Sequence, residues 1–363
     1  MKKIPLEIST MIFLANPHKT DVEKLDWLNH LPKDFDWDYF TERVWKTSMT
    51  GFIMTNHESI LKLLPIEKRE FLKKVQNRIL VHNLILFEEL QLICAELNKR
   101  KINYAILKGW DVIIRGFYTM NQRQISDIDI LINPYDCQNL ICILEELKYK
   151  VKYLPSKSKL FEKYTELHAP YQGYKNEICI DIHFNIFNIA QNYKVNTQLL
   201  IQTSKSIKFK GQIFKILDIE NASLFCKLHI YKHIKFDSLK FSSFQDLYYL
   251  NSENERKISK LWFGLNDYKR VQRYFEYYQN TTKFKFSNYS LFYTQLIGRN
   301  YIITKFRLLM IRWKTRFRFL FINPKLILGL LFPSKEYLSV NFGNGNYLKL
   351  LSRRFLRLFK SKK

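Results

Sequence analysis

The segment 103–132 constrains the fold of this chain more than any other, because it joins a short apolar run to an acidic one through a tight turn. The apolar run 104–107 ends at Lys108–Gly109, a pattern that predicts a buried strand followed by a turn. Residues 110–118 have helical spacing, and the alternating run 126–132 predicts a second strand. We therefore expect a strand, a helix and a second strand in immediate succession.

The second predicted strand carries two acids, Asp127 and Asp129. Because successive side chains of a strand point to opposite faces, both carboxylates project from the same face. Neighbouring carboxylates repel each other unless a cation lies between them, and oxygen ligands suit Mg²⁺, which also binds water and substrate phosphates. A third acid, Asp181, lies in the apolar run 178–184, which predicts a neighbouring strand. These acids predict a site for a divalent metal; solvated acids at strand ends are the alternative.

Four motifs resemble those of the uncharacterised bacterial nucleotidyltransferase-like proteins of the polymerase-β superfamily. They are the LKG turn, an arginine, the DID strand and a later strand of the form vDlH, at Leu107–Gly109, Arg123, Ser126–Leu131 and Ile180–Phe184. The likeness covers most of the chain, although only the LKG and DID segments are specific. It implies an α+β fold with a mixed nucleotidyltransferase sheet, preceded by a helical region and followed by a helical, basic one.

The resemblance also implies an activity, the Mg²⁺-dependent (or Mn²⁺-dependent) transfer of a nucleoside monophosphate from an NTP to a hydroxyl acceptor. Asp127, Asp129 and Asp181 would be the metal ligands and the catalytic residues, with Asp181 also activating the acceptor. The acceptor could be a glycan precursor, a protein or RNA. The remaining predicted site residues would bind the nucleotide or its phosphates: Lys108, Gly109, Arg123, Ser126 and His183.

Each of these binding roles has a plainer alternative. Gly109 permits a tight turn and a close backbone approach to phosphate. Lys108 offers a point charge to a phosphate, but a lysine at a strand end can equally extend into water. Arg123 lies in the loop that often contacts the triphosphate in such folds, and a solvated loop arginine is the alternative. His183 should share a face with Asp181 and could orient it or contact phosphate.

One position departs from the superfamily pattern. The common form has Ser or Gly after the glycine of the turn, and the Ser hydroxyl holds a nucleotide phosphate; this chain has Trp110 there. The departure keeps a second function open. The chain could be a catalytically inactive accessory protein that binds a nucleotide or nucleotide-sugar in surface-polysaccharide biosynthesis.

Three further histidines are weaker candidates. His229 and His233 are four residues apart on a predicted helix and could share a metal. No H-E-x-x-H motif or third ligand accompanies them, so a hydrogen-bonded helix face is favoured. His168 is at least as well explained as a partly buried histidine.

The formal net charge of +26 is concentrated at the carboxyl end, where residues 301–363 hold 15 Lys and Arg against one Glu. Aromatic and apolar stripes at 303–321 and 348–358 run between these cations. Core packing with basic rims is favoured, and binding to an anionic membrane surface or along a nucleic-acid backbone are the alternatives. We predict no stable nucleic-acid complex.

The chain divides into four predicted regions. A helical region, 1–100, precedes the nucleotidyltransferase core, 101–218, which ends in a β-hairpin around Lys210–Gly211; a helical domain, 219–300, and the basic helices, 301–363, follow. The five cysteines form no C-x-x-C pair, and most lie in apolar runs. We therefore expect a reduced, cytoplasmic protein, peripheral at the inner membrane face if the basic end binds lipid.

Overall fold

The computed structural model describes residues 4–154, 171–186, 196–236, 241–250, 275–276, 278 and 331–359. The predicted stripe at 303–321, His168 and most of the segment between 236 and 293 lie outside these ranges.

Six helices precede the first strand, which confirms the predicted helical amino-terminal region. The last and longest begins after Pro65, a residue that favours a helix start, and buries Leu72, Ile79, Leu86 and Leu90 along one face. The six are α1 Leu6–Ala15, α2 Asp21–Asn29, α3 Trp37–Lys46, α4 Thr50–Met54, α5 Glu58–Leu61 and α6 Ile66–Lys99.

A seven-stranded mixed sheet forms the centre of the described chain, which confirms the predicted α+β class. Its order is β3-β4-β5-β2-β1-β7-β6, with β2 parallel to β5 and β1 parallel to β7. The strands are β1 Tyr104–Ile106, β2 Ile128–Ile132, β3 Lys150–Tyr153, β4 Tyr171–Lys175, β5 Ile178–His183, β6 Lys205–Phe209 and β7 Gln212–Ile216. The helices that follow β1 are α7 Gly109–Ile114, α8 Cys137–Glu146 (after a 3-10 turn, Pro134–Asp136), α9 Thr197–Gln202, α10 Ile219–Phe236, α11 Ser242–Leu250, α12 Lys335–Phe342 and α13 Tyr347–Phe359.

Local sequence signals account for the elements around the core. The predicted hairpin is β6–β7, and its loop residues Lys210 (φ 45°) and Gly211 (φ 87°) both have the positive φ of a type I′ turn. Strand β3 lies at one edge of the sheet. Asp218 caps α10, since its Oδ1 accepts a hydrogen bond from the Asn221 N–H at 2.9 Å.

The parallel register of β2 and β5 positions the acids. Asp129 is the register partner of Asp181, and Leu131 is the partner of His183. Both strands are almost entirely buried, as expected for parallel strands at the centre of a sheet. The two acids therefore lie side by side on adjacent strands.

The loop that leads into β2 is held by Asn83 of α6, whose side chain is fully buried. Its Nδ2 donates to the carbonyls of Met120 and Arg123, both at 2.7 Å, and its Oδ1 accepts from the Ile125 N–H at 3.2 Å. One amide thus satisfies three backbone groups that a buried loop would otherwise leave without partners.

Part of the basic end is described, and it forms the helix pair α12–α13. Leu350 is buried, whereas Leu348 is 75% exposed and Phe355 is 40% exposed, so the predicted second stripe is only partly packed. Among the described residues, no helix is long and apolar enough to cross a bilayer. The role of residues 301–363 at an anionic membrane surface stays a prediction.

Replacing Asn83 by alanine should destabilise the protein by about 2–4 kcal/mol, because it leaves three buried backbone groups unpaired. Urea denaturation followed by circular dichroism measures this loss. Asn77→Ala is the matched control, since Asn77 is exposed on the same helix and its loss should change stability little. Equal stabilities of the two variants would contradict the role given to Asn83.

Candidate active site

The turn between β1 and α7 places Lys108 and Gly109 at the site, and the lysine, not the glycine, has the unusual backbone conformation. The positive φ falls on Lys108 (φ 60°, ψ −132°), whereas Gly109 is the first residue of α7. A Cβ at Gly109 would lie 2.2 Å from Cδ1 of Ile125, so the Ile125 side chain would have to move. The glycine provides space for the loop before β2, and the lysine adopts the strained turn conformation.

Asp129 is the most enclosed acid of the site, with a side chain only 2% exposed. Its Oδ1 contacts the ammonium of Lys108 and also lies 2.7 Å from Nε2 of His183. His183 contacts Asp129, and its predicted roles, orienting Asp181 or contacting phosphate, stay predictions. The ammonium of Lys108, from the turn after β1, and the imidazole of His183, from β5, therefore contact the same carboxylate oxygen.

Asp181 lies on the neighbouring strand, where its Oδ1 accepts a hydrogen bond from Nε2 of Gln172 at 2.7 Å. Within the described ranges, Asp129, Asp181 and His183 form a group whose potential ligand atoms all lie within 4.8 Å of one another. Two carboxylate oxygens and an imidazole nitrogen are a donor set that fits a divalent ion. The structure thus brings His183 into the group that sequence reasoning built from acids alone.

Asp127 and Ser126 lie just before β2, nearer the surface. Asp127 is not part of the group of potential ligands within 4.8 Å among the described residues. Its Oδ1 accepts a hydrogen bond from the Ser126 hydroxyl at 2.9 Å. Its assignment as a metal ligand stays a prediction.

The electrostatics of the site are set by burial and by the close charges. Burial alone would raise the pKa of Asp129, but the Lys108 ammonium and then His183 outweigh it and hold that pKa well below its usual range. Burial lowers the pKa of Lys108, and the carboxylates of Asp129 and Asp127 more than reverse this, so the pKa is raised. Burial and then the charge of Asp129 raise the pKa of Asp127. Asp129 and Lys108 are therefore a charged pair at neutral pH.

Arg123 does not lie free in its loop but is buried against Asp246 of α11. Its Nε donates to Oδ1 at 2.9 Å and its Nη2 donates to Oδ2 at 2.8 Å, while Nη1 donates to the Gln124 carbonyl at 2.8 Å. The ion pair is bidentate and buried. It joins the loop before β2 to the helical layer. Sequence reasoning missed this partner, and no local signal marks a residue 123 positions away. The predicted contact of Arg123 with phosphate stays untested.

A cleft opens between the turn, the start of β2 and the helices α10 and α11. Its helical wall includes His229, His233 and Asp246. The two histidines have their Nε2 atoms 2.8 Å apart, the hydrogen-bonded helix face that the sequence favoured. Asp111 of α7 also lines the cleft, paired with Arg115 at 2.7 Å, and burial raises the pKa of Asp111 to about 7. Asp127 and Asp129 line this cleft, whereas Asp181 is not among its lining residues.

Trp110 stands where the common superfamily pattern has Ser or Gly, so no side-chain hydroxyl follows Gly109. Its side chain is 1% exposed and packs near Phe87, with ring centroids 5.8 Å apart. It belongs to the hydrophobic core, so any side-chain hydroxyl for a phosphate must come from elsewhere, and Ser126 and Ser243 both line the cleft.

A family model described as "Uncharacterised nucleotidyltransferase" matches residues 33–278, which include every predicted site residue. Among solved structures, the chain is similar to a crystal structure of ANT(2″)-Ia in complex with adenylyl-2″-tobramycin, with 13% identity and a TM-score of 0.34 over 52% of this chain and 95% of that one. A solution structure of the antibiotic-resistance factor ANT(2″)-Ia is similar with 13% identity and a TM-score of 0.32, over 54% of this chain and 89% of that one. At these scores the two structural likenesses carry no weight for the function of the chain. A comparison with curated proteins finds no match.

Gly109→Ala should lower the free energy of unfolding by about 1–3 kcal/mol, because the added methyl group overpacks against Ile125. Chemical denaturation measures the loss. In an Ile125→Val background, which lacks the obstructing Cδ1, the same substitution should cost less. An identical cost in both backgrounds would show that Ile125 is not the obstacle.

Asp246→Ala should destabilise the protein by about 3–5 kcal/mol, because it leaves the buried guanidinium of Arg123 without its counter-charge. Thermal and urea unfolding measure the effect. The double variant Arg123→Met/Asp246→Leu should recover part of the loss, since it removes both charges. Asp38→Ala is a control, because Asp38 pairs with Lys68 at an exposed site and its loss should matter far less. A loss for Asp246→Ala as small as that control would contradict the structural importance of the pair.

Proposed function

Because this chain belongs to the family of uncharacterised nucleotidyltransferases, we propose that it transfers a nucleoside monophosphate from an NTP to a hydroxyl acceptor. One observation supports the proposal above the others: Asp129 and Asp181 are register partners on adjacent parallel strands, beside a cleft, with His183 close to both. The same three residues would hold a divalent ion.

We propose Mg²⁺ or Mn²⁺ as that ion. The carboxylates of Asp129 and Asp181 are the hard oxygen ligands that Mg²⁺ prefers, and the imidazole of His183 is a nitrogen donor better suited to Mn²⁺. When bound, such an ion would neutralise charge on the phosphate oxygens and on the leaving pyrophosphate.

The chain's own residues would divide the remaining work. The carboxylate of Asp181 would accept the proton of the acceptor hydroxyl, while the hydrogen bond from Gln172 fixes its orientation. Before the ion binds, the 2.7 Å contact between Nε2 of His183 and Oδ1 would orient Asp129. Lys108 and the hydroxyl of Ser126 would bind the triphosphate from the cleft side. Asp127, at the mouth of the cleft, would complete the metal shell or bind through water.

We propose that the substrates bind in the cleft, which Asp127 and Asp129 line from the sheet and His229 and His233 line from the helical layer. The lining does not distinguish a glycan precursor from a protein or an RNA end. The acceptor is therefore proposed only as a hydroxyl compound.

The accessory function remains the competing proposal, and two observations favour it. Trp110 replaces the hydroxyl residue of the common pattern, and the Lys108 ammonium already contacts Asp129. A protein of this kind would bind a nucleotide or nucleotide-sugar without transferring it. Consumption of NTP distinguishes the two functions.

Asp129→Asn should lower NMP transfer at least about a hundredfold, because it removes a charged metal ligand from the reacting centre. The purified protein is incubated with Mg²⁺ or Mn²⁺, a cell lysate as the source of acceptor and each labelled NTP in turn, and both pyrophosphate release and acceptor labelling are measured. Asp34→Asn, a change at an exposed acid outside the site, should leave the rate as it is.

Two results would count against transfer. Equal rates in wild type and Asp129→Asn would assign any NTP consumption to a contaminant. Persistent silence of the wild type with every NTP and lysate, together with measurable nucleotide binding, would favour the accessory function.

A further inference from the structure

The backbone of Lys108 has a conformation that a lysine rarely adopts. At φ 60° and ψ −132° it lies in a region that favours glycine and strains any residue with a side chain. The next residue is a glycine, yet it is helical. A strained, non-glycine residue that persists at a site is one whose side chain is held by its surroundings.

The side chain of Lys108 is held by the acids of the site. Its ammonium contacts Oδ1 of Asp129, and the charges of Asp129, Asp127 and Asp181 all act on it. The side chain is 23% exposed, so the ammonium lies at the boundary between the acids and the cleft. It thus occupies the electrostatic position that a bound cation would take.

Two groups of the protein already contact Oδ1 of Asp129. A carboxylate oxygen has two lone-pair directions, and Lys108 and His183 both contact this one atom. A divalent ion that takes Oδ1 must therefore displace one of the two. The ammonium is the group that a cation repels, and it has the flexible stem that allows it to leave.

We propose that Lys108 is a tethered cation that competes with the divalent ion for Asp129. Binding of the ion moves the ammonium out into the cleft, where the nucleotide phosphates become its new partner. The inference rests on the proposed function. It adds an order of events, since the ion alone binds weakly and the ion with a nucleotide binds well, because only the nucleotide offers the released ammonium an anion.

Removing the ammonium should strengthen the binding of Mn²⁺ alone. In full-length Lys108→Met, the Kd for Mn²⁺, measured by electron paramagnetic resonance of the free ion, should fall at least about tenfold relative to wild type, the effect expected when one close like charge is removed. Lys108→Gly should show the same fall, although it also relieves the backbone. Lys101→Met is the matched control, because Lys101 has φ 57°, lies exposed at the other end of β1 and should leave the Kd unchanged.

A second measurement needs no variant. Labelling of the wild-type protein with acetic anhydride, read by mass spectrometry, should modify Lys108 several-fold faster when Mn²⁺ is added, whereas Lys101 should not respond. Addition of an NTP together with Mn²⁺ should protect Lys108 again. This arm decides the question even if a Lys108 variant fails to fold.

The outcomes separate this inference from the proposed function. An unchanged or weaker Mn²⁺ affinity in folded Lys108→Met, tightening in Lys108→Gly alone, Lys108 labelling that Mn²⁺ does not raise, or no Mn²⁺ binding by any variant would each overturn it. Tighter Mn²⁺ binding in a protein that transfers no nucleotide would support the inference and leave only the activity without support. Active nucleotide transfer with an unchanged Kd for Mn²⁺ in Lys108→Met would support the proposed function and overturn the inference.

Discussion

The site depends on the parallel pairing of β2 and β5, which sets Asp129 beside Asp181. Two carboxylates in this position repel each other, and the burial of Asp129 increases the cost. The fold offsets it with groups from two directions, the ammonium of Lys108 from the end of β1 and the imidazole of His183 from β5 itself. The repulsion that the pairing of β2 and β5 creates is therefore balanced by groups that the same strands and their neighbour provide.

The entry to β2 is fixed from both sides of the loop that precedes it. Asn83 holds the loop backbone from α6, and Arg123 extends from the same loop to Asp246 in the helical layer. The position of Asp127 and Asp129 relative to the cleft is therefore determined by one neutral network and one ionic one. The ionic network is also the direct polar link between the sheet and the wall that faces it.

Local pattern was enough to predict the strand, turn and acidic strand and the hairpin, because alternation and turn residues act over a few positions, whereas the α+β class followed from the family resemblance. Local pattern also predicted that Asp181 lies on a strand next to that of Asp129. It could not give the register of β2 against β5, so His183 was assigned to Asp181 or to phosphate rather than to Asp129. The buried partner of Arg123 and the strained backbone of Lys108 were equally invisible, because both depend on contacts between segments far apart in sequence. The space requirement at Gly109 likewise comes from Ile125 in a separate loop.

The length of α6 has a mechanical consequence. Its 34 residues extend about 50 Å at 1.5 Å per residue. Along that length Glu89 binds Lys175 of β4 at 2.7 Å, and Asn98 donates to the Ile213 carbonyl of β7 at 2.8 Å. The helix is thus bonded to β4 and β7, which lie on opposite sides of the central strands. Shear between the strands would break these ties, so α6 resists relative movement of the strands on either side of the acids.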